Sequence, residues 1–131
     1  MKKILIGFII VIVFVPAWEF VWWALGVNPL LPWHLKAALK ANAEDFDLVD
    51  VRTPSEYRLF HISGTKNQPE LLLHPELFKS QDQGKPLVIM CMTGHRSSVV
   101  AYRLKKQGFT EVHNLTFGML GWLLSGGETT R

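Results

Sequence analysis

The chain of 131 residues contains only one cysteine, so no disulfide bond can form within it. A dithiol cycle, in which a second thiol resolves an intermediate formed on the first, is excluded for the same reason. Concentrated positive charge is also lacking: the formal net charge is +3, and the longest basic run beyond the N-terminus is Lys105-Lys106. Because nucleic-acid binding needs a concentrated basic surface, nothing in the sequence indicates such a partner.

Histidine is present but dispersed, and internal repeats and low-complexity tracts are absent. No spacing among the five histidines is typical of a metal site. They are His34, His61, His74, His95 and His113. We therefore expect neither a metal ion nor another cofactor.

One long apolar segment lies at the N-terminus. Ile4 to Val15 contains no charged or polar residue, and after Pro16 the stretch Ala17 to Val27 contains only Glu19 as a charge. As one helix, residues 4–27 would be about 36 Å long at 1.5 Å per residue, enough to cross a hydrocarbon core of about 30 Å. We therefore predict a single transmembrane anchor over residues 1–27.

The alternative for this segment is a cleaved secretory signal. The run has the length of a signal core after Lys2-Lys3, and Val15-Pro16-Ala17 offers small residues where cleavage would occur. Cleavage after Ala17 would leave an exposed apolar tail on the mature domain. Its members would be Trp18, Phe20, Trp22, Trp23 and Leu25. Since tryptophans also suit a membrane interface, we favour the retained anchor.

The lysines flanking this segment bear on its orientation. Lys2 and Lys3 on a very short tail favour a cytoplasmic N-terminus, which would place the rest of the chain on the extracytoplasmic, periplasmic side. Lys36 and Lys40 on the other flank weaken that prediction, so both orientations stay open.

Beyond the anchor, we predict a turn-rich linker at 28–32, one domain at 33–127 and a short tail at 128–131. The predicted strands are Phe46–Val51, Leu87–Met90 and Glu111–Leu115. The predicted helices are Trp33–Ala41, Pro54–Phe60, Leu71–Lys79 with an interruption at Pro75, Ser97–Gln107 and Gly118–Ser125. The predicted buried side of the fourth helix consists of Val99, Val100, Tyr102, Arg103 and Leu104. Strands that alternate with helices predict an α/β fold with an open parallel sheet and helices on both faces.

Cys91 follows directly after the most apolar predicted strand and opens the segment Cys91-Met92-Thr93-Gly94-His95-Arg96-Ser97. In open α/β sheets ligands bind beyond the carboxyl ends of the strands. Gly94 permits a tight bend, Arg96 supplies a positive charge, and a helix N-terminus near Ser97 favours an anion and a thiolate. An inert core cysteine would need none of these neighbours, so we predict an anion-binding nucleophile site.

Four segments, in this order, resemble the signatures of rhodanese-like domains. They are Asp50-Val51-Arg52 with Glu56-Tyr57, the stretch from His61 to Pro69, the Cys91 loop, and Gly118 to Trp122. The third resembles the active-site loop of single-domain sulfurtransferases, and together they span about residues 33–127. Ser63, Thr65 and Phe117 depart from the residues usual in the family, but all three lie outside the loop.

The resemblance implies a sulfurtransferase. Cys91 would accept a sulfane sulfur from a small anion such as thiosulfate, or from a persulfide donor, and pass it to a thiol or to cyanide. Substrate binding would fall to Arg96, which steers the donor, and to the loop residues Met92, Thr93, Gly94 and His95, whose amides would hold the persulfide. Because the chain has no second thiol, the acceptor must be another molecule.

The remaining signature residues are expected to be structural. Asp50, Arg52 and Glu56 would form one ion-pair group that holds a strand to its following helix. His61 would be a satisfied structural histidine, Gly64 would lie in a loop, and Trp122 would belong to the core.

Three other functions have to be weighed for such a domain. Related phosphatases have five residues between cysteine and arginine, whereas four lie between Cys91 and Arg96, so phosphatase activity is disfavoured. A non-catalytic module that binds an anion or a partner at the membrane is the alternative to catalysis. A persulfide carrier would share the chemistry and differ only in its acceptor.

Overall fold

The computed structural model of the protein describes residues 1–80 and 84–131. Within them, five parallel strands form one sheet in the order β1-β5-β4-β2-β3. The strands are β1 Asn28–Leu30, β2 Asp47–Asp50, β3 Lys66–Asn67, β4 Leu87–Met90 and β5 Val112–Leu115. The predicted α/β class and parallel sheet are confirmed.

The α-helices are α1 Lys2–Ala24, α2 Pro32–Asn42, α3 Pro54–Leu59, α4 His95–Lys106 and α5 Gly118–Leu124. The helix predicted at 71–79 is wrong: residues 69–77 instead form two 3-10 turns, Pro69–Leu72 and Pro75–Leu77. Proline lacks an N–H donor and fits the first position of a helical turn, so each proline begins a new turn rather than continuing a helix. The other predicted helices differ from the structure only at their ends.

The core lies on both faces of β4. Leu87 and Ile89 belong to the cluster that contains the buried side chains of α4, whereas Val88 and Met90 belong to the cluster of α2 and α5. Successive side chains of a strand point to opposite faces, so a continuous apolar run indicates a strand covered on both sides. Helices on both faces are therefore confirmed.

The face that helix α4 presents to the core matches the predicted one only at Val100 and Leu104. Its buried residues are Ser97, Ser98, Val100, Ala101 and Leu104. Arg103, predicted to be on the buried side, is exposed and donates from Nη1 to Leu72 O at 2.8 Å. The buried residues recur at spacings of three and four along the helix and include the two serines. A search for apolar residues alone does not detect these two positions.

The segment expected to be a linker contributes to the sheet instead. Asn28–Leu30 forms the edge strand β1 and pairs in parallel with β5, with Leu30 opposite Leu115. An edge strand tolerates Pro29, because its solvent-facing side needs no N–H donor. The sheet therefore begins five residues earlier than the predicted domain.

Helix α1 is long and apolar enough to cross a membrane, with a mean hydropathy of 2.6 over its best window and none of that window buried. A signal sequence has the same features. The last turns of α1 contact the rest of the protein. The ring centroids of Trp18 and His95 lie 5.0 Å apart, and those of Trp22 and Tyr102 lie 5.9 Å apart. The segment is thus continuous with the domain rather than separated from it by a spacer.

Candidate functional site

Cys91 lies at the carboxyl end of β4, in the middle of the sheet, and its side chain is fully buried. Its Sγ accepts a hydrogen bond from Gly94 N–H at 3.1 Å and lies 3.4 Å from Ser97 Oγ. Of the loop amides predicted to hold the sulfur, that of Gly94 donates to it, next to the hydroxyl of Ser97. Because the sulfur is covered, loop side chains must move to admit a donor.

The bend of the loop requires glycine at position 94. Gly94 has φ of +89°, and a Cβ atom there would lie 3.1 Å from Leu115 O and 3.2 Å from Phe117 N. Asn114 Nδ2 donates to Gly94 O at 3.1 Å and fixes the bend from β5. Side chains other than glycine strain this backbone region, so the predicted role of Gly94 agrees with its geometry.

The N-terminus of α5 supports the loop from behind. Met119 N–H donates to Cys91 O at 2.9 Å, and Leu120 N–H donates to Met92 O at 3.0 Å. Both are first-turn helix amides, which lack partners within their own helix. The first two carbonyls of the loop, those of Cys91 and Met92, are therefore held by a second element.

The loop side chains face different surroundings. Met92 is half-buried and packs against the core cluster that contains Met90. Thr93 and His95 are exposed, and Thr93 Oγ1 lies 3.0 Å from His95 Nδ1. These two side chains form the outer edge of the loop.

Arg96 is paired with Glu56 rather than free. Its Nη2 lies 2.9 Å from Glu56 Oε1 and its Nη1 lies 3.2 Å from Oε2. The hydrogen bond from Arg96 is the main reason that the pKa of Glu56 is lowered to about 2. The same bond raises the pKa of Arg96, with a smaller contribution from Cys91. The guanidinium is therefore a permanent positive charge within electrostatic reach of the sulfur.

The predicted ion-pair group of three residues is divided in the structure. Arg52 Nη2 lies 2.7 Å from Asp50 Oδ2, and both side chains are fully buried. Glu56 takes no part in this pair; besides binding Arg96, its Oε2 accepts from Thr53 N–H at 2.9 Å in the capping box of α3. Glu56 thus connects α3 to the loop, a function that its local motif does not indicate.

The other signature residues stabilise the fold elsewhere. His61 stacks on Tyr57 with ring centroids 3.8 Å apart, and its main chain pairs with Thr130. Gly64 has φ of +81° in the turn before β3. Trp122 is buried, and its Nε1 donates to Glu128 O at 2.9 Å. The predicted tail is therefore held against the domain.

Asn114 is a site residue that the sequence analysis does not identify. It is buried, accepts from Ser97 Oγ at 2.6 Å and, as described, binds the carbonyl of Gly94. The amide of Asn114 between His113 and Leu115 in a predicted strand is the signal that could have found it, since buried amides are retained where they are hydrogen-bonded.

A groove of about 620 Å³ borders the loop and is named here the α1–α5 groove. Its walls come from the end of α1, the start of α2, the loop and α5. The lining residues are Val15, Trp18, Glu19, Pro32, Trp33, Thr93, His95, Phe117, Leu120, Gly121, Leu124 and Ser125. Most of this lining is apolar, in contrast to the Arg96–Glu56 side of the loop.

Among the residues that the structure describes, no cluster of three or more His, Cys, Asp or Glu residues could hold a metal ion. The chemistry available at the loop is that of one sulfur, one amide donor beside it and one guanidinium. Such donors bind an anionic sulfur adduct through charge-assisted hydrogen bonds.

Comparison with known proteins agrees with this arrangement. The model of the rhodanese-like domain family matches residues 34–125. Thiosulfate sulfurtransferase GlpE of Stutzerimonas stutzeri is 36% identical over 75 residues, which are 57% of this chain and 68% of that protein.

Two solved structures have the same fold. The rhodanese-like domain of an Anabaena protein superposes with a TM-score of 0.69 at 25% identity, covering 79% of this chain and 78% of that chain. Thiosulfate sulfurtransferase from Pseudomonas aeruginosa has the same TM-score and identity, and the match covers 89% of this chain and 23% of that one. Since the family model matches more than half of these residues, the chain belongs to the family of rhodanese-like domains.

Proposed function

We propose that this protein is a membrane-tethered sulfurtransferase that carries a sulfane sulfur as a persulfide on Cys91. Sulfur transfer is the enzyme class that the family and its named relatives support. The observation that carries the proposal is the position of Sγ at the end of β4, beside the Gly94 amide and near the Arg96 guanidinium.

In the first half-reaction the Cys91 thiolate attacks the outer sulfur of thiosulfate. A bond forms between Sγ and that sulfur, the bond to the sulfonate group breaks, and sulfite leaves with its electron pair. Arg96 has five N–H donors, of which two bind Glu56, so the ion pair leaves part of the guanidinium for the incoming anion. The Gly94 amide then donates to the inner sulfur of the persulfide, and the negative charge resides on the outer sulfur bonded to it.

In the second half-reaction an external thiolate or cyanide attacks the outer sulfur of the persulfide. The S–S bond breaks, and Cys91 leaves as a thiolate, ready for another cycle. No oxidant or reductant is consumed, because the sulfane sulfur keeps its oxidation state. An external acceptor is required because the chain has no second cysteine.

An assay with thiosulfate and cyanide tests the proposal on the full chain in detergent micelles. Wild type is expected to form thiocyanate and, without acceptor, to gain the mass of one sulfur atom. Cys91→Ser is expected to do neither. A mass gain in Cys91→Ser, or wild type that binds thiosulfate without forming a persulfide, would contradict catalysis; the second result would favour the binding module.

The tether and its orientation form the second part of the proposal. We propose that α1 remains attached and crosses the membrane with Lys2 and Lys3 in the cytoplasm, so that the loop faces the extracytoplasmic side. C-terminal fusions to reporters that are active on only one side of the membrane test the orientation. Intact mass after membrane extraction tests retention, and loss of residues 1–17 would instead indicate a signal peptide.

A further inference from the structure

We infer that the α1–α5 groove binds the hydrocarbon part of the sulfur acceptor, so that the acceptor is an amphiphilic thiol at the membrane interface. This inference rests on the proposed sulfur transfer at Cys91 and on α1 as a membrane span. It names the substrate class of the second half-reaction, which the geometry at the sulfur leaves open.

The walls of the groove carry large apolar side chains that the domain leaves exposed. Leu124 is 90% exposed, Trp33 51%, Leu120 46% and Phe117 44%. Contiguous apolar surface of this kind marks a binding site rather than ordinary protein surface. A volume of about 620 Å³ also lies in the range of sites for small molecules.

The position of α1 places this groove at the level of the lipid headgroups. Because Trp18 and Trp22 pack against His95 and Tyr102, the turns from Trp18 onward lie beside the domain and not in the hydrocarbon core. About 16 residues remain before them, or about 24 Å of helix, which is less than the roughly 30 Å of hydrocarbon. The domain must therefore rest directly on the bilayer surface.

The groove and the sulfur site share one wall. Thr93 and His95 belong to the loop that surrounds Sγ, and both also line the groove. An acceptor whose chain lies on Phe117, Leu120 and Leu124 would present its head group to this wall. Because Sγ is fully buried, the outer edge of the loop has to move before the thiol can reach the persulfide.

The transfer itself needs no further reactant. The thiolate of the acceptor attacks the outer sulfur of the Cys91 persulfide, the S–S bond breaks, and the amphiphile leaves as a persulfide. Cys91 recovers its thiolate. Groove contacts add affinity for the chain of the acceptor, with about a fourfold gain in kcat/KM for each methylene buried.

The test uses the full chain in phosphatidylcholine nanodiscs, thiosulfate as donor, and ethanethiol, butanethiol and hexanethiol as acceptors of similar acidity. The measurement is the ratio of kcat/KM for hexanethiol to that for ethanethiol. We expect the ratio to be at least tenfold larger in wild type than in the double variant Leu120→Gln/Leu124→Gln. Leu124 is the last residue of α5 and is exposed, so Leu124→Gln alone, checked by circular dichroism, covers the case in which the double variant misfolds.

The matched control is Leu73→Gln/Leu77→Gln, which changes two exposed leucines outside the groove. Bilayer partitioning concentrates hexanethiol equally for every variant, so a wild-type ratio in this control and a reduced ratio in the groove variants would support the site. If the ratio of kcat/KM for hexanethiol to that for ethanethiol were equal in all variants, the proposed acceptor site would be overturned. The apolar walls would then be explained by contact with lipid. Thiocyanate formation by wild type is measured in parallel: its absence contradicts the proposed sulfur transfer, whereas its presence with equal ratios contradicts only the groove.

Discussion

Two arginines of this protein each bind a carboxylate, and the two pairs differ in their access to solvent. Arg52 and Asp50 are both fully buried, and Arg52 also donates to Phe60 O at 2.6 Å and lies over the Phe60 ring. Arg96 and Glu56 have side chains that are 36% and 28% exposed. The first pair is enclosed by the protein, whereas the second is partly open to solvent.

The largest effect is expected at the buried pair. Arg52→Ala leaves the Asp50 carboxylate buried and unpaired, which costs about 3–5 kcal/mol of unfolding free energy. Urea unfolding of the full chain in detergent micelles measures this loss. Arg58→Ala, which removes an exposed arginine from α3, is the control and should change stability by less than about 0.5 kcal/mol. Equal stability of the two variants would remove the distinction between the pairs.

Arg96→Ala should instead act on catalysis. Removal of a charge-assisted contact worth about 1.5–3 kcal/mol is expected to lower kcat/KM for thiosulfate by roughly 10–150-fold, mainly through KM. Steady-state kinetics at varied thiosulfate measure the change. Arg103→Ala, on the same helix but bonded to Leu72, should keep wild-type kinetics. An unchanged KM in Arg96→Ala would contradict donor binding by this arginine.

The substitution Glu56→Gln removes the negative charge of the exposed pair and so tests how much that charge contributes to the stability of the fold. The pKa of Glu56 is about 2 in the folded protein, below its ordinary 4.5. Its contribution to stability is therefore present above about pH 4.5 and is lost as the pH falls toward 2. The variant should lose less stability over this interval than wild type, and at neutral pH it should be less stable by at most about 1 kcal/mol. Thermal unfolding between pH 2 and 7 measures the loss of stability with falling pH and the difference at neutral pH. If wild type and Glu56→Gln lost stability equally on acidification, the lowered pKa of Glu56 would be contradicted.

The smallest effect concerns salt. Screening weakens interactions between exposed charges more than between buried ones. An increase in ionic strength from about 0.01 M to 0.15 M shortens the Debye length from about 30 Å to 8 Å. We expect the KM for thiosulfate to rise severalfold. The contribution of the buried Asp50–Arg52 pair to the free energy of unfolding should change little. A KM that is independent of salt would indicate that Arg96 does not attract the donor from solution.

The sequence predicts the sheet well where the pattern is local. The four apolar residues of β4 identify the central strand, and the turn after it requires a glycine, so the position of Cys91 follows from adjacent residues. Prediction fails where an element depends on a distant partner. Asn28–Leu30 is too short and too rich in turn residues to be recognised as a strand, and only its pairing with β5 makes it one.

The same distinction holds within the site. Cys91, Gly94 and Arg96 are recognisable because they lie within six residues of one another. Glu56 is 40 positions from Arg96, and Asn114 is 17 positions from Ser97, so their contacts exist only after the crossovers of the sheet are made. The contact of Trp18 with His95 likewise requires α1 to pack back onto the loop.

The amino-acid order alone determined the α/β alternation, the cysteine after a buried strand, the bend at Gly94 and an apolar N-terminal helix, because each depends on neighbouring residues and on backbone conformation. Tertiary structure decided which carboxylate neutralises Arg96, which amide holds Ser97 and the loop, and which apolar walls enclose the groove. Those choices depend on how parallel strands and their helices pack, and side chains remote in sequence become partners only when the packing brings them within bonding distance.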